Sequence, residues 1–151
     1  MKTKFIRSAK KKEITKQINE DYGISKIPHL LIESGKEKIR GFTGHLSKDE
    51  IISLSHTINI ESIGIYLFKK EHNGQIRLSL DACNIFKEQI KSKIVEINRD
   101  ELAQWLHGED LPKETQEGYV FIKYNDDLIG MGMSNKKKIY NHLPKSRRLK
   151  N

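Results

Sequence analysis

Six histidines (His29, His45, His56, His72, His107, His142) and one cysteine, Cys83, are the side chains whose softness or pKa suits metal ligation or nucleophilic work near neutral pH. The histidines are scattered, no two stand at metal-ligand spacing, and a lone thiol cannot complete a zinc site. His107 precedes Gly108, where a cation suits the end of a helix dipole. The acidic pairs Asp49-Glu50, Glu109-Asp110 and Asp126-Asp127 fall at a predicted helix start, after a helix stop and in a turn, so capping and solvation explain them better than acid/base chemistry. Gly41 and Gly44, or Gly130 and Gly132, lack the flanks of a phosphate-binding loop, and Cys83 follows Ala82 with no basic helper, as a buried structural thiol does. The expectation is a chain that is not an enzyme and needs no cofactor or metal.

Charge is where the chemistry gathers. The formal net charge of 151 residues is +8, but residues 1–16 carry seven Lys and Arg against one acid, residues 136–151 carry seven against none, and the middle is net negative. Clustered cations release counterions on meeting a polyanion, so nucleic acid is the expected partner, with an anionic membrane second. In "NKKKIYNHLPKSRRLKN" the apolar Ile139, Tyr140, Leu143 and Pro144 interleave with the cations, which predicts a segment tied down by its apolar residues. Lys136, Lys137, Lys138, Lys145, Arg147 and Arg148 are then expected on phosphates, and Tyr140, Asn141 and His142 on an exposed base. Lys10, Lys11 and Lys12 extend that surface if the fold brings both ends to one face.

One cysteine excludes an intrachain disulfide, the basic start has no apolar run behind it, and no stretch approaches the length of a membrane span. A soluble, cytoplasmic protein is expected, and no membrane partner, because the first helix sets only Ile14, Ile18 and Tyr22 opposite its cations.

The elements that position these residues follow from periodicity. Ile14, Ile18 and Tyr22 predict a helix over 8–22 with Ser8 as N-cap and Gly23 as stop. "HLLIESGKEKIRGF" predicts a hairpin turning at Ser34-Gly35-Lys36. Ser47 with Glu50 is a capping box, with Leu46 and Ile51 at staple positions, heading a helix through Leu54 and Ile58. "SIGIYLFKKEHNGQIRLSL" predicts a second hairpin with a type I′ turn at Asn73-Gly74 and a central first strand, apolar on both faces. Beyond it come a connecting helix in "ACNIFKEQIKS", a strand "KIVEI", a helix capped by Asn98 and Glu101 that buries Leu102, Trp105 and Leu106, and strands "GYVFIKY" and "LIGMGM". The fold class is α+β: a small sandwich-like N-terminal α/β unit over residues 1–82, then a second domain over 83–151.

The C-terminal series of strand, helix, strand, strand and basic ending resembles PUA-type RNA-binding domains, most nearly the version at the C-terminus of Sun/Fmu-family RNA cytosine-5 methyltransferases. The signature there is W-L-x-G-E-x-L, then G-Y/W-x-L/F-V/I, x-L/I-G-x-G and N-x-h-P-K-x-x-R. Trp105, Gly108, Leu111, Gly118, Gly130, Gly132, Asn141, Pro144, Lys145 and Arg148 fall on it, over roughly residues 93–149. The resemblance implies a PUA-like β-barrel that binds structured RNA, tRNA or rRNA, without catalysis, since the Pro-Cys nucleophile motif of those enzymes has no counterpart here. Residues 1–82 resemble, more weakly, the α+β domain that precedes PUA domains in several archaeal and bacterial proteins. The expected function is non-catalytic RNA binding in RNA modification or ribosome biogenesis. The alternative is an assembly adaptor for a separately encoded RNA methyltransferase acting in trans, contacted through the acidic middle.

Overall fold

The computed structural model describes residues 4–150. The chain divides into two compact units, Met1–Ile76 and Arg77–Asn151. In the first, strand β1 (Lys4–Phe5) leads into helix α1 (Ser8–Tyr22), followed by β2 (Leu30–Ser34), β3 (Lys38–Phe42), helix α2 (Lys48–Thr57) and β4 (Ile65–Lys70). Strand β5 (Ile76–Leu78) begins at its last residue, and the sheet order is β1-β2-β3-β4-β5. β2 and β3 pair antiparallel from Leu30↔Phe42 to Ser34↔Lys38 across Gly35, whose φ of 68° only glycine adopts without strain.

Helix α1 buries Ile14, Ile18 and Tyr22 and stops at Gly23 with φ 83°, as the spacing predicts. Its N-cap is Arg7 rather than Ser8, which already lies inside the helix, so no side chain caps the first turn. The capping box at Ser47 and Glu50 is present in both directions, and the backbone hydrogen bond from Ser47 holds the Glu50 carboxyl below its ordinary range. At the staple positions Ile51 is buried and Leu46 is 44% exposed, and Leu54 and Ile58 further along are exposed as well. The second hairpin also departs from expectation. Only Gly74, φ 85°, is left-handed, while a type I′ turn needs Asn73 there too. The Gly74 N–H bonds to Glu71 O at 3.0 Å and the Glu71 N–H to Gln75 O at 2.8 Å, so the loop spans three residues, and Asn73 accepts from the Gln75 N–H instead. Of β4, Leu67 and Phe68 are fully buried and the strand lies between β3 and β5, but Ile65 is exposed.

In the second unit Ser79 caps helix α3 (Leu80–Ile85), whose start ends β5 before Leu80 can continue the strand alternation. A 3₁₀ turn over Lys87–Gln89, strand β6 (Ile94–Glu96), helix α4 (Arg99–Leu106), β7 (Gly118–Tyr124), β8 (Asp127–Ser134), β9 (Ile139–Asn141) and a 3₁₀ turn over Lys145–Arg147 follow. β6 runs parallel to β7, which requires the crossover through α4, whereas β7 and β8 join across Asn125-Asp126 with Asn125 at φ 52°. The sheet order is β6-β7-β8-β9, extended at one edge by a bridge between Leu111 and Ile139. This is an open four-stranded sheet; among the described residues its edge strands β6 and β9, three residues each, do not pair to close the expected barrel.

Two buried titratable groups make the units separately addressable. Cys83 lies in the core beside Ala82, and burial pushes its thiol up to about 12. In the first unit His29 is buried, and desolvation, with Lys11 nearby, holds its pKa below the ordinary 6.5. The unfolded chain therefore takes up the His29 proton first, so this group's contribution is full above about pH 6.5 and is lost as the pH falls toward the folded pKa. The urea midpoint of the first unit, followed by the NMR amide signals of Ile32 and Ile39, should drop on acidification below that pH, and His29→Gln should flatten the drop.

Candidate nucleic-acid interface

Trp105, the single tryptophan, is fully buried at the centre of a cluster with Val95, Ile97, Leu111, Val120, Ile122 and Ile139. It reaches that position because the box of Asn98 and Glu101 starts α4 at the right residue and Gly108, φ 87°, turns the chain off after it. Its indole N–H donates to Ile129 O at 2.8 Å, satisfying the one polar atom of the ring. The two glycines of "LIGMGM" serve different needs. A Cβ on Gly132 would run into Ile139 and the Tyr140 carbonyl, so crowding excludes it. Around Gly130 nothing is closer than 3.8 Å, and its φ of 115° is what demands glycine.

The basic segment is a structured edge of this sheet. Ile139 pairs with Ser134 and bridges Leu111, and Ile139 and Leu143 are buried. Asn141 faces inward and uses its whole amide: Nδ2 donates to the carbonyls of Trp105 (2.8 Å) and Glu109 (2.9 Å), and Oδ1 accepts from the Leu143 N–H at 2.8 Å. The Asn141 backbone N–H donates to Asp110 Oδ1 at 2.8 Å. Arg148 lies across Gly108, where a Cβ would strike its guanidinium, and its Nε donates to Leu143 O; the Leu149 N–H then reaches Leu106 O, a last-turn carbonyl of α4. Asn141 and Arg148 thus hold the edge in place. The Asn141 amide is committed to that frame, whereas Arg148 commits its Nε.

The remaining nominated residues project from this frame. Lys136 (φ 79°), Lys137 and Lys138 form the β8–β9 loop, where Asn135 Oδ1 accepts from the N–H groups of both Lys137 and Lys138 and Ser134 Oγ from that of Lys136. The loop amides are therefore satisfied internally and only the ammonium groups point outward. Lys136 meets Glu117 at 3.8 Å with both side chains about 70% exposed, and Lys138 meets Asp110 at 3.4 Å. Such exposed pairs are weak and yield to a phosphate. Arg147 pairs with Asp81 at 2.9 Å, and Lys145 and Lys137 are exposed with no ion pair among the described residues. His142 lies edge-on to Tyr119, ring centroids 6.1 Å apart. Tyr140 is 40% exposed, with Lys138 Nζ 4.4 Å from its ring centre.

Lys10, Lys11 and Lys12 belong to the first unit, on α1. Lys10 bonds to Glu13 at 2.8 Å, which raises the lysine's pKa and lowers the glutamate's, and Lys11 Nζ donates to His29 O at 2.7 Å. Lys12 is exposed. Periodicity alone missed Tyr119 and Met133, which the register places directly opposite each other and opposite Tyr140 on one sheet face. Only the strand alignment shows this, although Tyr119 and Met133 each stand one residue beyond a glycine of the signature.

The second unit is thus a mixed sheet crossed by α4, with a cation-rich edge clasped to that helix. Residues 92–149 match the family described as the Methyltransferase RsmF PUA domain. The chain is also similar to two proteins named Ribosomal RNA small subunit methyltransferase F, from Vibrio vulnificus strains YJ016 and CMCP6. Each is 29% identical over 89 residues, which is 58% of this chain but 19% of the relative. The chain thus spans about a fifth of the length of these curated relatives. An alignment of that length within 151 residues must also take in β5 and α3, so the shared region reaches back before residue 92.

The clasp and the cations should separate cleanly on mutation. Asn141→Ala removes three hydrogen bonds, two of them partly buried, and should lower the stability of the second unit by about 2 kcal/mol, read as a shift of the Trp105 fluorescence midpoint in urea. Lys137→Ala should stay within about 0.5 kcal/mol of the wild type.

Proposed function

We propose that the second unit binds structured RNA, ribosomal or transfer, in RNA modification or ribosome biogenesis, and that it does so by binding and not by catalysis. The observation that carries this reading is the folded basic edge: buried Ile139 and Leu143 and the Asn141 clasp hold it, Lys137 and Lys145 are exposed, and Lys136, Lys138 and Arg147 stand in solvent-accessible ion pairs. Fixed ammonium groups contribute to phosphate binding without the ordering cost of a floppy tail. The family match of residues 92–149 and the likeness to rRNA methyltransferases support RNA as the polyanion. The only cysteine is buried with its thiol pushed up to about 12, which leaves it unsuited to the attack a cytosine-5 methyltransferase makes.

A second reading has its own observation. Helix α2 leaves Leu54 and Ile58, with Leu46 before it, exposed on the first unit. These exposed apolar side chains are the surface proposed to meet a separately encoded RNA methyltransferase acting in trans. Its co-purification with the chain should survive nuclease and be lost in Leu54→Asp/Ile58→Asp; nuclease-sensitive recovery would remove this reading.

For RNA binding, Lys136→Ala/Lys137→Ala/Lys145→Ala should abolish most affinity for a folded rRNA or tRNA fragment in a polarisation assay and make the log–log salt slope shallower by about 2–3. Trp105 fluorescence should show the variant folded. Unchanged affinity would defeat the reading.

A further inference from the structure

The edge that carries the cations also frames a half-open sheet face. Tyr119, Met133 and Tyr140 stand opposite one another on β7, β8 and β9, on the side away from Trp105. One residue pair further along the same face, Phe121 and Met131 are buried, and the Leu78 N–H meets the Met131 sulfur there. The row Tyr119–Met133–Tyr140 lies past that pair. Tyr119 is mostly buried and backs the ring of His142, Met133 is half-buried, and Tyr140 is open.

We propose that this row is a stacking subsite for one unpaired nucleobase of the bound RNA, with Tyr140 as its platform and Met133 beside it, and that it accepts the base without regard to identity. The proposal rests on the RNA-binding reading above. Tyr140 is held in position from two sides. Its hydroxyl meets Asn135 Nδ2 at 3.4 Å, and Lys138 Nζ stands over its ring at 4.4 Å, a cation that a neighbouring phosphate would draw toward the RNA. A ring and a thioether offer area and polarisability to any base, and every base has a π face. Identity is read by paired hydrogen bonds to base edges, and the two side chains best suited to make them are engaged elsewhere. The Asn141 amide is turned to the opposite face and used three times, and the Arg148 guanidinium lies on Gly108 with Nε bonded to Leu143 O.

The test uses the full chain and a hairpin RNA carrying 2-aminopurine at an unpaired position. Binding should quench the 2-aminopurine, Tyr140→Ala should remove the quench and weaken binding by about tenfold, and Tyr140→Phe should keep both. Exchanging the unpaired base for each natural base should shift affinity by no more than about threefold. A quench that persists in Tyr140→Ala, binding with no quench at any unpaired position, or a tenfold preference for one base would overturn the proposal while leaving RNA binding intact. Absence of binding to any RNA would remove both.

Discussion

The second unit depends on how one amide is used. Asn141 joins the carbonyl of Trp105, in the last turn of α4, and that of Glu109, just past the Gly108 stop, to the N–H of Leu143 on its own edge. A helix ends with carbonyls that have no partner within it, and here the partners come from a segment with seven cations and no acid over residues 136–151. The same juxtaposition places lysines and arginines near the negative end of the helix dipole, where their field is favourable. Arg148 and the Leu149 N–H complete the clasp on Gly108 and Leu106. Without it, a strand of three residues and a short 3₁₀ turn would have little to hold them against the mutual repulsion of their side chains.

The residues of the signature divide by what they touch. Trp105, Gly108, Leu111, Gly132, Asn141 and Arg148 meet one another: indole against glycine, guanidinium against glycine, amide against helix carbonyl, strand against bridge. They build the scaffold. The side chains left facing solvent, Lys136, Lys137, Lys138, Tyr140 and Lys145, are mostly outside that set. A match to the pattern therefore identifies the frame, and the ligand has to be argued from what the frame presents.

Much of the frame was legible in the sequence because local rules act within a few residues. The capping boxes at Ser47 and Asn98, the stop at Gly23, and the burial of Ile14, Ile18 and Trp105 all formed as their spacing predicts. Two departures are local: Leu46 stays exposed beside the buried Ile51, and Asn73 accepts from the Gln75 N–H in a three-residue loop closed between Glu71 and Gln75. The open sheet is non-local, set by which strands pair. The site divides in the same way. Composition located the cations and the interleaved apolar residues. It could not show that Asn141 and Arg148 turn inward, nor that Tyr119 and Met133 align with Tyr140, since both follow from strand register.

The parallel pairing of β6 with β7 bears on the order of assembly. The β7–β8 hairpin closes over two residues and can form from local contacts, whereas β6 must wait for α4 to cross over, and such non-local pairings are slow to gain their contacts. The Asn141 clasp needs both the finished α4 and the paired β9. The cationic edge is therefore a product of complete folding: partly folded chains carry the same charge, but not in the arrangement that an ordered polyanion would recognise.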